Sequence, residues 1–325
     1  MARVYVGTCS WTDPTLLASG FYPPGVNTAE KRLTFYAGRF TIVEVDSTYY
    51  GLPSERNSAL WVRRTPPDFV FNIKAFALFT QHPTPANALP KEIRDALGPL
   101  AGKGMLYHKD LPAGPLDLVW EMFKSALLPL DSAGKLGAVL FQFPQWFLPG
   151  HVSREHILTC RERLGQYRMA VEFRNGLWVD ERHLDETMRF LRQNELCYVA
   201  VDEPQGFCSS VPPLAEATTD LSIVRFHGRN RETWEKRGIT ATERFRYQYS
   251  KEEIEEWAPR IQRLASQAQN LHVLFNNCYG DYAVRNAQDV VGILRSLGLE
   301  VQEPPVEPTP TSPPPGLART LWPDG

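Results

Sequence analysis

Hydrophobic residues fall along this chain in two alternating patterns. Short β-branched runs recur at Arg3 to Gly7, Thr41 to Val45, Phe69 to Lys74, Leu136 to Phe141, Arg168 to Phe173, Leu196 to Val201, Leu221 to Phe226 and Leu271 to Phe275. Each is apolar on both faces, the habit of strands in a parallel sheet covered on both sides. Between them, helical spacing appears near Ser54 to Thr65, Leu116 to Leu128, Ser153 to Leu164, Asp180 to Gln193 and Ala283 to Leu297. Capping chemistry marks two further helix starts, Asn27 with Glu30 and Ser250 with Glu253. Each pair sets an oxygen acceptor at the start and a carboxylate three residues on, so that orphan backbone N–H groups are satisfied reciprocally. Glu203 to Asp220 has the poorest helical pattern, with four prolines or glycines and weak periodicity.

Strands and helices in alternation predict an α/β fold, a (β/α)8 TIM-type barrel. Parallel strands require crossovers, and eight of them close into a barrel filled by side chains. A doubly wound open sheet is the alternative, weakened because no G-x-G-x-x-G follows the first strand. One connection is oversized: Thr80 to Pro115, after the third strand, contains a short helical piece at Lys91 to Leu97 together with Lys103, His108 and Lys109. That is far beyond the roughly two to six residues of an ordinary βα loop, and long loops on this face are often lids. Residues 1–301 read as one barrel. Gln302 to Gly325 holds eight of the 27 prolines and predicts an extended or disordered tail.

Composition narrows the function classes. With 43% hydrophobic residues the 325-residue chain can bury enough surface to fold over most of its length. Its net charge of -2, from 35 basic and 37 acidic side chains, argues against wrapping a long polyanion. No apolar run approaches the roughly 18 residues of a membrane helix, and Met1 to Trp11 lacks the apolar core of a secretory signal. The five cysteines are scattered and form no C-x-x-C pair, so neither a disulfide framework nor a zinc ribbon is indicated. A cytoplasmic protein is expected.

Active sites of such barrels lie at the C-terminal strand ends. Those ends carry Cys9, Glu44 with Asp46, Lys74, Gln142, Glu172 with Arg174, Asp202, Arg225 with His227, and Asn276 with Asn277. Ionisable groups closing apolar strands are costly to bury unless paired. Glu44, Lys74, Glu172 and Arg225 also suit a neutralising salt-bridge lattice without chemistry. His227 is the leading candidate, because it opens a segment, Arg225 to Arg246, with seven Arg or Lys against three Glu. Phosphate sites in these barrels are often built from the loops after strands seven and eight. Trp11, Tyr49, Tyr50, Trp178, Trp234, Tyr279 and Tyr282 follow strand ends, where rings can stack on bases or sugars or simply wall the mouth.

Gly7-Thr8-Cys9-Ser10-Trp11, Phe21-Tyr22-Pro23, Val43 to Tyr50 with Leu52-Pro53, Phe71-Asn72-Ile73-Lys74, Leu140 to Pro144, Val171 to Arg174, Arg225 to Gly228 and Phe275-Asn276-Asn277 follow one another in the order seen in the YecE-like family, domain of unknown function 72. The chain resembles that family from about residue 3 to 297. The resemblance implies a TIM-type barrel without an established activity. Members commonly have Asn where this chain has Asp46, and the Thr80 to Pro115 insertion exceeds that of shorter relatives.

The leading functional expectation is an enzyme acting on a phosphorylated or nucleic-acid-derived anionic substrate. In it Arg174, Arg225 and Arg229 hold the anion, with Asn276, Asn277, Tyr49, Trp11 and Asp202 also at the substrate. His227 or Glu172 serves as acid or base, Glu44 assists, and Lys74 stabilises developing charge. A divalent metal on Glu44, Glu172 and His227 is conceivable, because carboxylate with imidazole suits Mn or Zn. A glycosidase is the enzymatic rival, with Glu44 and Glu172 eligible as its two carboxylates, but by analogy many barrel glycosidases place catalytic Glu after strands four and seven, where this chain has Gln142 and Arg225. The non-catalytic alternative binds single-stranded nucleic acid or a phosphorylated metabolite.

Overall fold

The computed structural model describes residues 2–305. Residues 306–325, most of the expected tail, lie outside that range. Eight parallel strands form a closed barrel: β1 (Arg3–Thr8), β2 (Ile42–Val45), β3 (Val70–Lys74), β4 (Leu136–Gln142), β5 (Met169–Glu172), β6 (Cys197–Asp202), β7 (Leu221–Phe226) and β8 (Asn270–Phe275). All eight expected strands are present to within a residue or two at each end. β8 closes on β1 through an unbroken register from Arg3 with Asn270 to Thr8 with Phe275. A short extra strand, Glu300–Val301, pairs with Arg3 and Val4 at the base of β1, while Gly7 and Thr8 higher up pair with β2.

Helices cover the barrel where the periodicity placed them, with two corrections. The first long helix, Ala29–Ala37, is capped by Thr28 rather than Asn27: the Thr28 hydroxyl accepts from the Lys31 N–H, and Glu30 sits in the first turn. No helix forms between Glu203 and Asp220. Pro204, Pro212 and Pro213 cannot donate backbone hydrogen bonds there. The Ser250 and Glu253 capping box is present with both of its bonds. A second box, Thr240 with Glu243, starts a one-turn helix in the loop after β7. Among the described residues no helix is long and apolar enough to cross a membrane.

The insertion after β3 is folded rather than loose. It contains the Lys91–Leu97 helix and an antiparallel pairing of Thr84–Pro85 with Met105–Leu106, and it buries Leu89, Ile93, Leu97 and Leu106. Phe79 anchors its root by stacking on Trp120 at 3.7 Å, while the Phe79 carbonyl accepts from His156 Nε2 at 2.8 Å. The loops after β4 and β5 are tied by the stacked rings of Phe143, Phe147, Trp178 and Phe173 and by a bond from Trp178 Nε1 to the Phe147 carbonyl. The mouth of the barrel therefore rests on packed supports.

Candidate ligand site at the mouth of the barrel

Side chains alternate across a strand, so the register decides which polar residues enter the barrel. Arg225 is level with Val201 on β6 and Leu274 on β8, Glu44 with Asn72, and Gln142 with Glu172. Counting in twos from these positions, Cys9, Glu44, Asp46, Lys74, Gln142, Glu172, Arg174, Glu203, Arg225, His227 and Asn276 fall on the inner set. Asp202 and Asn277 fall out of phase with it.

The centre of the inner set is a closed network. The Arg225 guanidinium reaches from β7 to carboxylates on two other strands, donating through Nη1 to Glu172 and through Nη2 to Glu44 at 2.6 Å. Glu172 also accepts from Gln142 at 2.6 Å and bonds His227 Nε2 at 2.9 Å. Burial alone would raise the Glu172 carboxyl, but the charge of Arg225 and the bond to His227 outweigh it and hold Glu172 well below the usual carboxylate range. Burial also pulls His227 down to about 3, with Arg225 and Arg174 assisting against the pull of Glu172. His227 is thus neutral. With an ionised Glu172 at Nε2, the proton sits on Nε2 and Nδ1 accepts from Asn276 Nδ2 at 2.9 Å. Both ring nitrogens are occupied, and Glu44, Glu172, Arg225 and His227 are fully buried.

This arrangement revises several sequence-based roles. Three of the four charges expected to form a lattice do so, and Lys74 stands apart from them. Glu44 and Glu172 are each bonded to the guanidinium that separates them, and no group of three or more His, Cys, Asp or Glu among the described residues is placed to hold a metal. Asp202 points outward and accepts from Trp257 Nε1, the Tyr249 hydroxyl and Arg229, each at 2.6 to 3.2 Å. Arg229 is further engaged by Glu256 at 2.9 Å and Glu253 at 3.6 Å. Asn277 bonds the Tyr247 carbonyl and Asn286. Trp11 is buried edge-on against Trp61. The structure therefore does not gather Asp202, Arg229, Asn277 and Trp11 at the mouth. Gly228 fixes where the strand-seven loop departs, since its φ of +88° and the Tyr247 Cβ at 2.7 Å from a would-be Cβ leave room for no side chain.

Above the network lies a cavity of about 500 Å³. Arg174, Lys236, Arg237 and Arg244 line it with a single carboxylate, Glu235, and with the rings of Tyr49, His82, Trp146, Trp234 and Phe245. Arg174 is the link to the network below, 3.6 Å from Glu172 and 3.4 Å from Glu203, and its guanidinium lies 4.4 Å over the Trp234 ring. Arg244 folds the loop by donating to the carbonyls of Thr233, Trp234 and Lys236. Among the described residues it has no carboxylate partner. Burial and the charge of Arg174, which lines the same cavity, lower its affinity for its proton.

Glu203 and Trp146 escaped the sequence reading, which took His82 for an ordinary structural residue. Burial drives Glu203 up to about 8 against the opposing pull of Arg174 and the Val211 N–H. His82 is held at about 3 by burial and by the charges of Lys74 and Arg174. On the β2–β3 side, Lys74 extends over the Tyr49 ring at 4.7 Å and is partly exposed. Burial and Arg225 lower its ammonium below the ordinary lysine value despite Glu44, Glu172 and Asp46. Burial raises Asp46 to about 6 against the pull of Lys74, with Glu44 adding to the rise.

Comparison with known proteins matches residues 5–312 to the family described as protein of unknown function DUF72. The chain belongs to that family, as its motifs indicated. It is similar to UPF0759 protein YunF of Bacillus subtilis, with 30% identity over 295 residues, 90% of this chain and 94% of that protein. It also resembles the crystal structure of a DUF72 family protein from Thermotoga maritima, 31% identical with a TM-score of 0.70, covering 90% of this chain and 99% of the other. A DUF72 family structure from Enterococcus faecalis, 24% identical, shares the fold with a TM-score of 0.73 over 95% of this chain and all of the other.

Proposed function

We propose that the mouth of the barrel binds a small phosphate-bearing ligand with a flat ring and that the protein is an enzyme acting on it. One observation carries this reading: Arg174 and Arg244 face the same cavity as Lys236 and Arg237, with one carboxylate among them. Like charges brought together in a partly desolvated space repel, and a dianion relieves that repulsion. Guanidinium groups match phosphate oxygens in bidentate geometry. The volume of about 500 Å³ suits a mononucleotide or sugar phosphate, and Trp234, Trp146 and Tyr49 offer faces for its ring.

Acid and base roles fall to the β2–β3 side. His227 and Glu172, named first by the sequence, hold Arg225 and Arg174 in place instead of meeting the ligand. Asp46 and Lys74 retain uncommitted polar atoms near the cavity wall formed by Tyr49 and His82. A thermal-shift screen of phosphate monoesters against the wild type, Arg174→Ala and Arg244→Ala tests the reading. Stabilisation by a monoester that disappears in both variants is expected; stabilisation unchanged in both rejects the site. Salt titration separates a pocketed small anion from a polynucleotide, whose binding weakens steeply as counterions are restored.

A further inference from the structure

Lys74 differs from the other interior lysine. Lys135, 4% exposed, donates to the carbonyls of Val62 and Thr65 at 2.8 Å and to the Thr65 hydroxyl at 3.0 Å, which uses all of its ammonium protons. Among the described residues the Lys74 ammonium has no hydrogen bond and no carboxylate at ion-pair distance; it lies over the Tyr49 ring face. It stands at the mouth end of β3, beside β2, after which Asp46 follows, and its ammonium lies over the ring of Tyr49, a residue that lines the cationic cavity although Lys74 itself does not. An amine kept free of partners in such a place has its lone pair available once it loses its proton. Burial and the neighbouring Arg225 favour that loss.

We infer that Lys74 is a catalytic nucleophile that forms an imine with an aldehyde or ketone group of the phosphate-bearing ligand. The inference rests on the anion site proposed above, which sets the phosphate against Arg174 and Arg244 and turns the rest of the ligand toward β3. The Nζ lone pair adds to the carbonyl carbon as the C=O π bond opens. One amine proton passes to the oxygen, giving a carbinolamine. The second N–H proton then leaves with the hydroxyl as water, and C=N replaces C=O. Atoms and charge balance without oxidant or reductant. Asp46, which follows β2 next to β3 and whose carboxyl burial raises to about 6, carries the protons in this scheme. The resulting imine, once protonated, withdraws electrons from the adjacent carbon, which places the reaction in the class of carbon–carbon cleavage or proton abstraction next to a carbonyl.

The test uses pyridoxal 5′-phosphate, an aromatic aldehyde bearing a phosphate, followed by borohydride reduction and peptide mapping of the full chain. The expected result is a reduced adduct at Lys74 forming faster than at exposed lysines, because an amine whose hold on its proton is weakened has a larger neutral fraction near pH 7. Adenosine 5′-monophosphate should protect Lys74, and Asp46→Asn should slow its labelling. Adducts on Lys236 or scattered over surface lysines, with Lys74 unmodified, overturn the inference. Pyridoxal without its phosphate separates the two proposals. Equal labelling of Lys74 by both aldehydes keeps the nucleophile and removes the anion site. Thermal stabilisation by the phosphate ester without an adduct at Lys74 does the reverse.

Discussion

The two sides of the barrel mouth treat their charges in opposite ways. On the β5 to β8 side, Glu172, Arg225, His227 and Asn276 are bonded to one another or to Glu44 and Gln142, and the four ionisable members of the network are sealed from solvent. On the β2 and β3 side, Asp46 and Lys74 are partly exposed and hold no hydrogen bond through their charged atoms among the described residues. Both sides are polar strand ends on one ring, so strand position alone does not separate support from chemistry. Charge pairing and exposure do. Glu44 Oε2 and Arg225 Nε have no hydrogen-bond partner among the described residues, yet both groups are charge-paired and sealed from solvent, whereas the charged atoms of Asp46 and Lys74 are unpaired there and both residues are partly exposed.

The sharpest way to break this comparison is to remove the centre of the closed side. Arg225→Ala leaves Glu44 and Glu172 buried without their countercharge, and loss of one partner of a buried pair costs about 3 to 5 kcal/mol. A guanidinium chloride unfolding curve should show a midpoint shift of that size at unchanged slope. A loss below about 1 kcal/mol, within the range of exposed ion pairs, would mean that the network is not a support. Next in size, Arg174→Ala and Arg244→Ala should each weaken a phosphate monoester by about 1.5 to 3 kcal/mol, the range for hydrogen bonds to charged groups, or about tenfold to a hundredfold in Kd by calorimetry. Arg174→Ala also exposes whether the two sides communicate, since Arg174 touches Glu172 and Glu203 beneath the cavity.

The barrel was legible in the sequence because each strand buries both faces, so apolar runs such as Leu196 to Val201 stand out against the helical spacing around them. The polar ring was only partly legible. Reading a strand to its last polar residue ignores the two-residue alternation, and one residue of error turns a side chain from the barrel interior to the helix layer. Asp202 is level with Phe226 and faces Trp257, while Glu203, its neighbour, enters the mouth beside Arg174. Asn276 and Asn277 divide in the same way. The register that decides these cases is set by neighbouring strands, which no local pattern shows. The cationic segment after β7 was visible as a cluster. Which of its members face the cavity depends on the hydrogen bonds of Arg244 to carbonyls eight to eleven residues back in that loop.

A smaller effect comes from pH. Glu203 sits at about 8 in the folded protein, above the ordinary carboxylate value near 4.5, so the native state binds its proton over the interval between them while the unfolded state does not. The resulting contribution is fully present below about pH 4.5, falls as pH rises, and is gone above about 8. His227 works in the opposite sense: held at about 3, it contributes stability above its unfolded value near 6.5 and loses it as pH falls toward 3. Between about pH 6.5 and 8 Glu203 therefore acts without opposition from His227 and contributes a slope of at most about 1.4 kcal/mol per pH unit. Glu203→Gln should flatten denaturation midpoints over that interval. A slope unchanged in the variant would locate the titrating group elsewhere.

The least expected change in stability belongs to Asp46→Asn. The Asp46 carboxylate has no hydrogen bond among the described residues to lose, and the amide has nearly the same volume. Substitutions of this kind usually stay within about 0.5 kcal/mol. The variant also removes a group that burial raises to about 6, so any decline in wild-type stability between about pH 4 and 6 from this group should vanish with it. If the open side of the mouth carries chemistry, the same substitution that leaves unfolding almost untouched should slow covalent labelling of Lys74, because the neighbouring proton carrier has gone. A large destabilisation with unchanged labelling would place Asp46 among the supports, and the division between the two sides of the ring would have to be drawn at Lys74 alone.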